Sequence, residues 1–554
     1  MRQALPSFVV LVALAAGCSA PALEHDAGAD AGAAPDSGPE GRHWFDDVTL
    51  AAGVDAVRPD DFTNLPQRMN GGVCVLDVDG TAPMDLFFAM MDGDGARSRL
   101  YVAGAPLDFE DRTSALGLDA VGGAMGCLAF DAEGDGDDDL LVTGVGQVRL
   151  FVRDGDGFVE RTEALGLSLD PLDMYVGAAA GDVDDDGDLD LLVAGMIHWD
   201  EGVLPADCGR TCGGQLHPYT PIANLLLRRE ADGTYREVAA ELAPALALAE
   251  PTQVVAITDL DGDGRVDLYV GNDLGATYPN RPLVRDAGGV YRDVGIDLGL
   301  SHNARGYGMD SMGFSTADID GDGQLDHVVT SLQEDATAVF LCADGFCEPQ
   351  PPERSGTQAL SDSFRWGAAL VDLDLDGRPD LVEAAGHIHV EEIAELIGQS
   401  RDQMPNVMWN AGGRFEPIGA SAEDGRRPSS ARGIAVTDLD EDGRPDIVLG
   451  ATVGRPYLLR NVVPPRGDWL RVRLVGRAPN TGGVGARVTV RDAAGAAVGI
   501  RDRRAGEGYL GSFDPRLFFG VVSAGPFTID VRWPSGESTS AAGIAPGSEV
   551  ELRE

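Results

Sequence analysis

A nine-residue acidic pattern recurs along this chain, and its carboxylates are the residues best placed to do chemistry. The clearest copy is Asp182-Val-Asp184-Asp-Asp186-Gly187-Asp-Leu-Asp190. Aspartates at positions 1, 3 and 5 alternate toward one point, glycine at position 6 permits a sharp turn, and aspartate at position 9 closes the shell. Four unneutralised carboxylates so close together repel strongly. A hard divalent cation relieves that repulsion, and calcium, which takes about six to eight oxygen ligands, suits the set.

The same residues recur at Asp259, Asp261, Asp263 and Asp267; at Asp318, Asp320, Asp322 and Asp326; at Asp372, Asp374, Asp376 and Asp380; and at Asp438, Asp440, Asp442 and Asp446. An earlier copy places Glu133 between Asp131 and Asp135, with Asp139 last. The first copy keeps Asp77, Asp79 and Asp85 but has Thr81 and Ala82 at positions 5 and 6, so weak binding or none is expected there. The expectation is about five to six Ca²⁺ sites. Solvated Asp-Gly hairpins would account for one copy but not for five in register. Asp372–Glu383 also satisfies an EF-hand pattern, but Pro379 and strand-like flanks oppose two helices, so Glu383 is read as a strand residue.

The elements that hold these loops follow from their spacing. The copies start at Asp77, Asp131, Asp182, Asp259, Asp318, Asp372 and Asp438, with gaps of 54, 51, 77, 59, 54 and 66 residues. A unit of that length accommodates four strands and their turns. A small apolar run such as Val254-Val-Ala-Ile-Thr258 precedes each loop and a short run such as Leu268-Tyr-Val270 follows it, so each loop joins two strands. A second motif, Phe109-Glu-Asp-Arg-Thr113 and Phe158-Val-Glu-Arg-Thr162, falls between loops. Its copy at Phe45-Asp-Asp-Val-Thr49 precedes the first loop, which suggests that an N-terminal strand completes the last unit and closes a ring. The predicted architecture is all-β, a seven-bladed β-propeller over residues 43–462 followed by a small β-sandwich over 463–554. In the latter segment the acidic loops stop, arginines balance acids, and runs such as Phe527-Thr-Ile-Asp-Val-Arg-Trp533 alternate with period two. Insertions at 199–221 and 387–405, the second with a predicted helix over 390–397, are candidate specificity loops.

Composition excludes several classes. The net charge is −49, from 91 acidic and 42 basic residues, and no lysine occurs. Nucleic acid and anionic membrane surfaces are poor partners for such a chain, and Walker-type phosphate loops and Schiff-base chemistry are absent. No metalloprotease, serine-hydrolase or Cys–His signature occurs, so no catalytic set is assigned. His387 and His389 could ligate a metal in the channel or simply pack in a turn. Residues 1–17 read as an export signal, and Cys18 stands where a lipidated cysteine would begin the mature chain, with 18–42 as a polar tether. The placement expected is an exported, outer-membrane lipoprotein. Export permits disulfides: Cys208 with Cys212 and Cys342 with Cys347 read as local clips, with a zinc site as the weaker rival for the first pair, while Cys74 and Cys127 read equally as free thiols or a bond.

The acidic units resemble FG-GAP (VCBS-type) repeats, which form the seven-bladed propeller of integrin α-chain heads and bind calcium between blade strands. Ser311-Met-Gly-Phe-Ser-Thr-Ala-Asp318 and Gly386-His387 resemble the branch that includes the cartilage acidic protein family. Gly482-Gly-Val-Gly-Ala-Arg-Val488, Tyr509-Leu-Gly-Ser-Phe-Asp-Pro515 and Val531-Arg-Trp-Pro-Ser-Gly536 resemble the ASPIC/UnbV domain that ends this branch. Neither resemblance supplies a reaction; the reading preferred is a calcium-binding module of the cell envelope that mediates protein or glycan binding and adhesion, with a structural role as a further reading. An envelope polysaccharide hydrolase or lyase, with its site in the channel mouth, is the alternative.

Overall fold

The computed structural model describes residues 43–554 except 59–63, 92–96, 201–218, 333–334, 361, 389–397 and 421–423. Each acidic loop joins the first two strands of an antiparallel sheet, and seven such sheets follow one another, six of four strands and the third with a fifth, Thr220–Pro221. In the fifth sheet the strands are Ser311–Ala317, Asp326–Ser331, Ala338–Ala343 and Phe346–Gln350. The first strands of consecutive sheets touch, and that of the seventh, Ala431–Thr437, touches that of the first, Val73–Leu76, so the sheets close a ring around a channel. The outer strand of the seventh sheet is Phe45–Asp47, paired antiparallel with Tyr457–Asn461. The N-terminal strand expected from the repeated Phe motif is therefore the one that closes the ring, with Trp44 and Phe45 fully buried.

Sequence explains the radial order within a sheet. Inner strands such as Ala431–Thr437 are buried at every residue, whereas outer strands such as Phe415–Pro417 bury only their first side chain. Crowding at the channel is why the inner runs are small. A Cβ at Gly313 would lie 2.4 Å from the Trp366 carbonyl, and one at Gly433 2.3 Å from that of Gly71. Only glycine lets neighbouring inner strands approach so closely.

Two further sheets lie C-terminal to the ring. Asp468–Val475 pairs with Leu517–Val521 and with Ser548–Arg553, and Arg487–Arg491, Ala497–Asp502, Phe527–Arg532 and Ser538–Ile544 form the other. They enclose a core of Leu470, Val488, Phe519, Ile529 and Trp533. Pro39–Glu554 form one compact unit, so this module is built onto the ring rather than appended to it.

Cys74–Cys127 is a disulfide across the inner strands of the first two sheets, and Cys342–Cys347 clips a hairpin of the fifth. Cys18, Cys208, Cys212, His389, the export signal, the tether and the helix expected at 390–397 lie outside the described residues. Among the described residues no helix is long and apolar enough to cross a membrane.

Candidate metal centres

Glycine at position 6 does what its place in the pattern requires: Gly136, Gly187, Gly264, Gly323, Gly377 and Gly443 have φ between 87° and 98°. The turn lets the position-1 carboxylate bind the loop's own backbone. Asp182 accepts from the amides of Asp186 (3.1 Å) and Gly187 (3.0 Å), Asp318 from Gly321 (2.8 Å) and Gly323 (2.9 Å), and Asp131 from Gly134 (2.7 Å) and Gly136 (2.8 Å).

Position 9 has a second role that the pattern alone does not reveal. Both oxygens of Asp190 accept backbone amides, Val183 in the loop (2.9 Å) and Arg229 on the third strand (2.8 Å). The same latch recurs at Asp85, Asp139, Asp267, Asp326, Asp380 and Asp446. Each of these carboxylates ties loop to sheet.

The remaining carboxylates converge. Ligand-capable oxygens lie within 4.8 Å of one another in Asp182, Asp184 and Asp190, in Asp259, Asp261 and Asp263, and in the reduced first loop, Asp77, Asp79 and Asp85. At position 3, Asp184 Oδ1, Asp374 Oδ1 and Asp440 Oδ1 are buried with no hydrogen-bond partner. Buried oxygens without donors fit a cation in these loops. Burial, reinforced by neighbouring aspartates, pushes Asp139, Asp190, Asp267 and Asp326 up to about 8, and Asp85 to about 7. Glu383, by contrast, is a fully buried strand residue bonded to Thr337 and Asn406, as read from the sequence.

The C-terminal module sits on these loops. Arg471 meets Asp438 at 2.8 Å, Arg466 meets Asp374 at 2.8 Å, Arg487 and Arg532 meet Asp259 at 3.4 and 3.3 Å, and the Thr481 hydroxyl donates to Asp131. From the module, residues 505–514 enter the channel. Ala180 donates to the Ala505 carbonyl (3.0 Å), Phe314 to Gly508 (3.2 Å), Cys127 to Leu510 (3.3 Å) and Val75 to Ser512 (3.0 Å), while Asp514 donates to Val436 (2.9 Å). Tyr509 packs on Trp366 at 5.4 Å, with its hydroxyl 3.3 Å from Gln253 Oε1. The plug thus reaches the inner strand of all seven sheets. In the sequence it is marked by its glycine-rich run, Gly506 to Gly511, and by Tyr509–Pro515, whose resemblance to the ASPIC/UnbV domain does not state that it enters the channel.

Two features of this geometry, a nine-residue Asp-Gly loop between the first two strands of a sheet and a C-terminal sandwich, can be set beside known proteins. Residues 131–193 match the FG-GAP-like repeat family, and residues 476–554 match the ASPIC and UnbV family. The chain is 22% identical over 526 residues to cartilage acidic protein 1 of Xenopus tropicalis, covering 88% of this chain and 74% of that protein. Among solved structures, an Agrocybe aegerita lectin described as recognising non-reducing terminal N-acetylglucosamine is 16% identical with a TM-score of 0.40, covering 70% of this chain and 86% of that one. A Lactobacillus plantarum protein is 12% identical with a TM-score of 0.35, covering 72% and 97%.

The other clusters are less suited to a metal. His327 lies beside Cys342 and Cys347, but those sulfurs are bonded to each other. Asp170, Asp173 and His198 form a group outside the acidic loops; Asp173 is 2.9 Å from His198 and holds its imidazole above the usual range. His387 is buried against Phe364, with ring centroids 4.9 Å apart.

Proposed function

We propose that this chain is a calcium-stabilised binding protein of the cell envelope, held by a lipid on Cys18 and the 18–42 tether, that presents one face of its ring to a protein or glycan. The observation that carries this reading is the coverage of the other face: the C-terminal module lies on the acidic loops and its 505–514 segment fills the channel. Recognition is therefore assigned to the face opposite the loops. Both insertions leave from second strands on that side, after Asp190–His198 and Asp380–Ala385. The connections from outer to next inner strand also run there. They carry Val57, Leu172, Leu248 and Tyr307 at 53, 38, 49 and 67% exposure. Apolar side chains displayed on one face are what a docking surface requires.

Calcium would be held by positions 1, 3, 5 and 9 of the loops from Asp131 onward, and when bound it supplies charge neutralisation rather than chemistry. The unpartnered position-3 oxygens support this. The hydrolase or lyase alternative places its site in the channel mouth on the face opposite the loops, and turnover of a glycan tests it.

The experiment is an array of envelope proteins and glycans probed with purified, calcium-loaded protein. Binding that is lost on combining Tyr307→Ala with Leu248→Asp, while the calcium-dependent melting temperature is unchanged, supports the reading. Turnover of any glycan on the array, or binding indifferent to both substitutions, rejects it.

A further inference from the structure

Between the plug and the inner strands of the fifth to seventh sheets lies a cavity of about 60 Å³, walled by Arg501, Arg503, Arg504, Arg516 and Thr316. Its three lining carboxylates are all engaged. Asp502 binds Arg487 (2.7 Å), Glu507 binds Arg504 (2.5 Å), and Asp514 binds Arg516 (2.7 Å), which also reaches Glu441 (2.9 Å).

Arg501 and Arg503 remain. Among the described residues neither has a carboxylate within ion-pairing distance, and their only hydrogen bonds go to main-chain carbonyls, those of Ile500 and Arg504. Arg503 is only 7% exposed. Two more donors at the cavity lack any partner: the Thr316 hydroxyl, on a residue 4% exposed, and Arg504 Nε. Each of these groups can donate, and the three guanidiniums among them carry permanent charge and cannot accept. Water offers lone pairs to such groups but no charge, and burying an uncompensated cation is costly. What the cavity lacks is a negatively charged acceptor.

We propose that this cavity is a binding site for a small inorganic anion, chloride or an oxyanion no larger than phosphate, which joins plug to ring. The volume sets the limit, since a water needs about 10–15 Å³ on the same measure. Burial holds both guanidiniums below their ordinary range, as expected of cations without a close partner. The acids that act on them from beyond ion-pairing distance are Asp372, Asp318 and Glu507 for Arg501 and Asp138, Glu507 and Asp514 for Arg503. The site is independent of the docking face assigned above.

The test uses the full chain with calcium present. Crystals grown without halide and soaked in bromide are expected to show an anomalous peak inside the cavity, against Arg501 and Arg503. In gluconate at fixed ionic strength, chloride and phosphate titrations are run in parallel, and at least one should raise the melting temperature saturably. The arm that responds identifies the anion. Arg503→Met, which removes the charge while keeping the bulk, should weaken that response about tenfold, the size of one lost charged hydrogen bond. Ordered water in place of bromide together with no saturable response to either anion, or equal titrations of wild type and variant, overturns the proposal. Should the variant fail to fold, the bromide map and the two titrations of the wild-type protein decide.

Discussion

Asp184 and Asp190 belong to one loop, and substituting each by alanine separates ligation from architecture. Asp190 accepts two backbone amides in a site with no exposure. Removing it leaves both donors unpaired, at about 1–3 kcal/mol each, so a loss of roughly 2–6 kcal/mol. For some five hundred ordered residues the unfolding entropy is about 1 kcal/mol/K, which makes that roughly 2–6 °C. The loss should appear already in chelator, and in calcium it should grow by the increment of the one site that Asp190 also serves. Asp184 makes no hydrogen bond through Oδ1, and its other oxygen is 3.5 Å from a partly exposed Arg228, a contact worth less than about 1 kcal/mol. In chelator, Asp184→Ala should therefore melt within about a degree of wild type. Its deficit appears only with calcium. For a dissociation constant of about 10⁻⁴–10⁻³ M, roughly 10 mM calcium adds about 1.4–2.7 kcal/mol per site, and this variant forfeits one such increment. Differential scanning calorimetry of the three proteins in EGTA and in calcium measures all of these terms. An Asp184→Ala deficit as large in EGTA as in calcium would refute the ligand assignment, and an Asp190→Ala deficit confined to calcium would refute the latch.

The raised position-9 carboxylates set a pH dependence. Their folded values lie near 7–8 against about 4 unfolded, so the folded protein holds more protons and chelated stability falls as pH rises from 5 to 8. Saturating calcium should flatten or invert that slope, and melting curves across this range in EGTA and calcium check both. Opening Cys74–Cys127, which spans 53 residues, should cost up to about 4 kcal/mol by chain entropy, measured as a lower denaturation midpoint for the paired serine variant. Deleting residues 43–50 removes the outer strand of the seventh sheet with Trp44 and Phe45, at about 3–5 kcal/mol per aromatic side chain; an unchanged melting temperature would contradict closure by that strand. Arginines of the module touch position 1 or 3 of the loops at Asp259, Asp372 and Asp438, whereas no module guanidinium within 4 Å is seen at the full loops Asp182 and Asp318. Calorimetric titration should accordingly resolve two classes of calcium site, with Arg471→Met moving the Asp438 loop toward the tighter class.

Much of the ring was legible because it is written in repeats. The acidic loop fixes where the first two strands of a sheet meet, and the Phe-Glu-Asp-Arg-Thr motif marks the outer strand, so even the pairing of Phe45–Asp47 with the seventh sheet could be read in advance. The candidate ligands were legible for the same reason. The latch at position 9 was not, since one partner of Asp190, Arg229, lies 39 residues away on another strand and belongs to no motif. The bond between Cys74 and Cys127 was undetermined because it depends on two inner strands being neighbours in the ring, which spacing alone does not state. The plug escaped altogether. Its residues form no repeat, and Tyr509–Pro515, though it carries a family resemblance, does not state where in the ring it sits.

The plug also gives the C-terminal module a structural reason. Inner strands built from glycine and alanine let seven sheets converge, but each presents a channel-facing edge with amide and carbonyl groups that need partners. Segment 505–514 meets those of Val75, Cys127, Ala180, Phe314 and Val436, and places Tyr509 where glycine and alanine left space. Its flanks bring arginines to a ring whose loops are almost wholly acidic. Arg471, Arg487 and Arg516 therefore act on the same excess of charge that calcium would relieve, and they do so from the module that closes the channel. A module held by both backbone pairing and charge belongs to the ring's core, which is why recognition is better sought on the opposite face than at the conspicuous acidic loops.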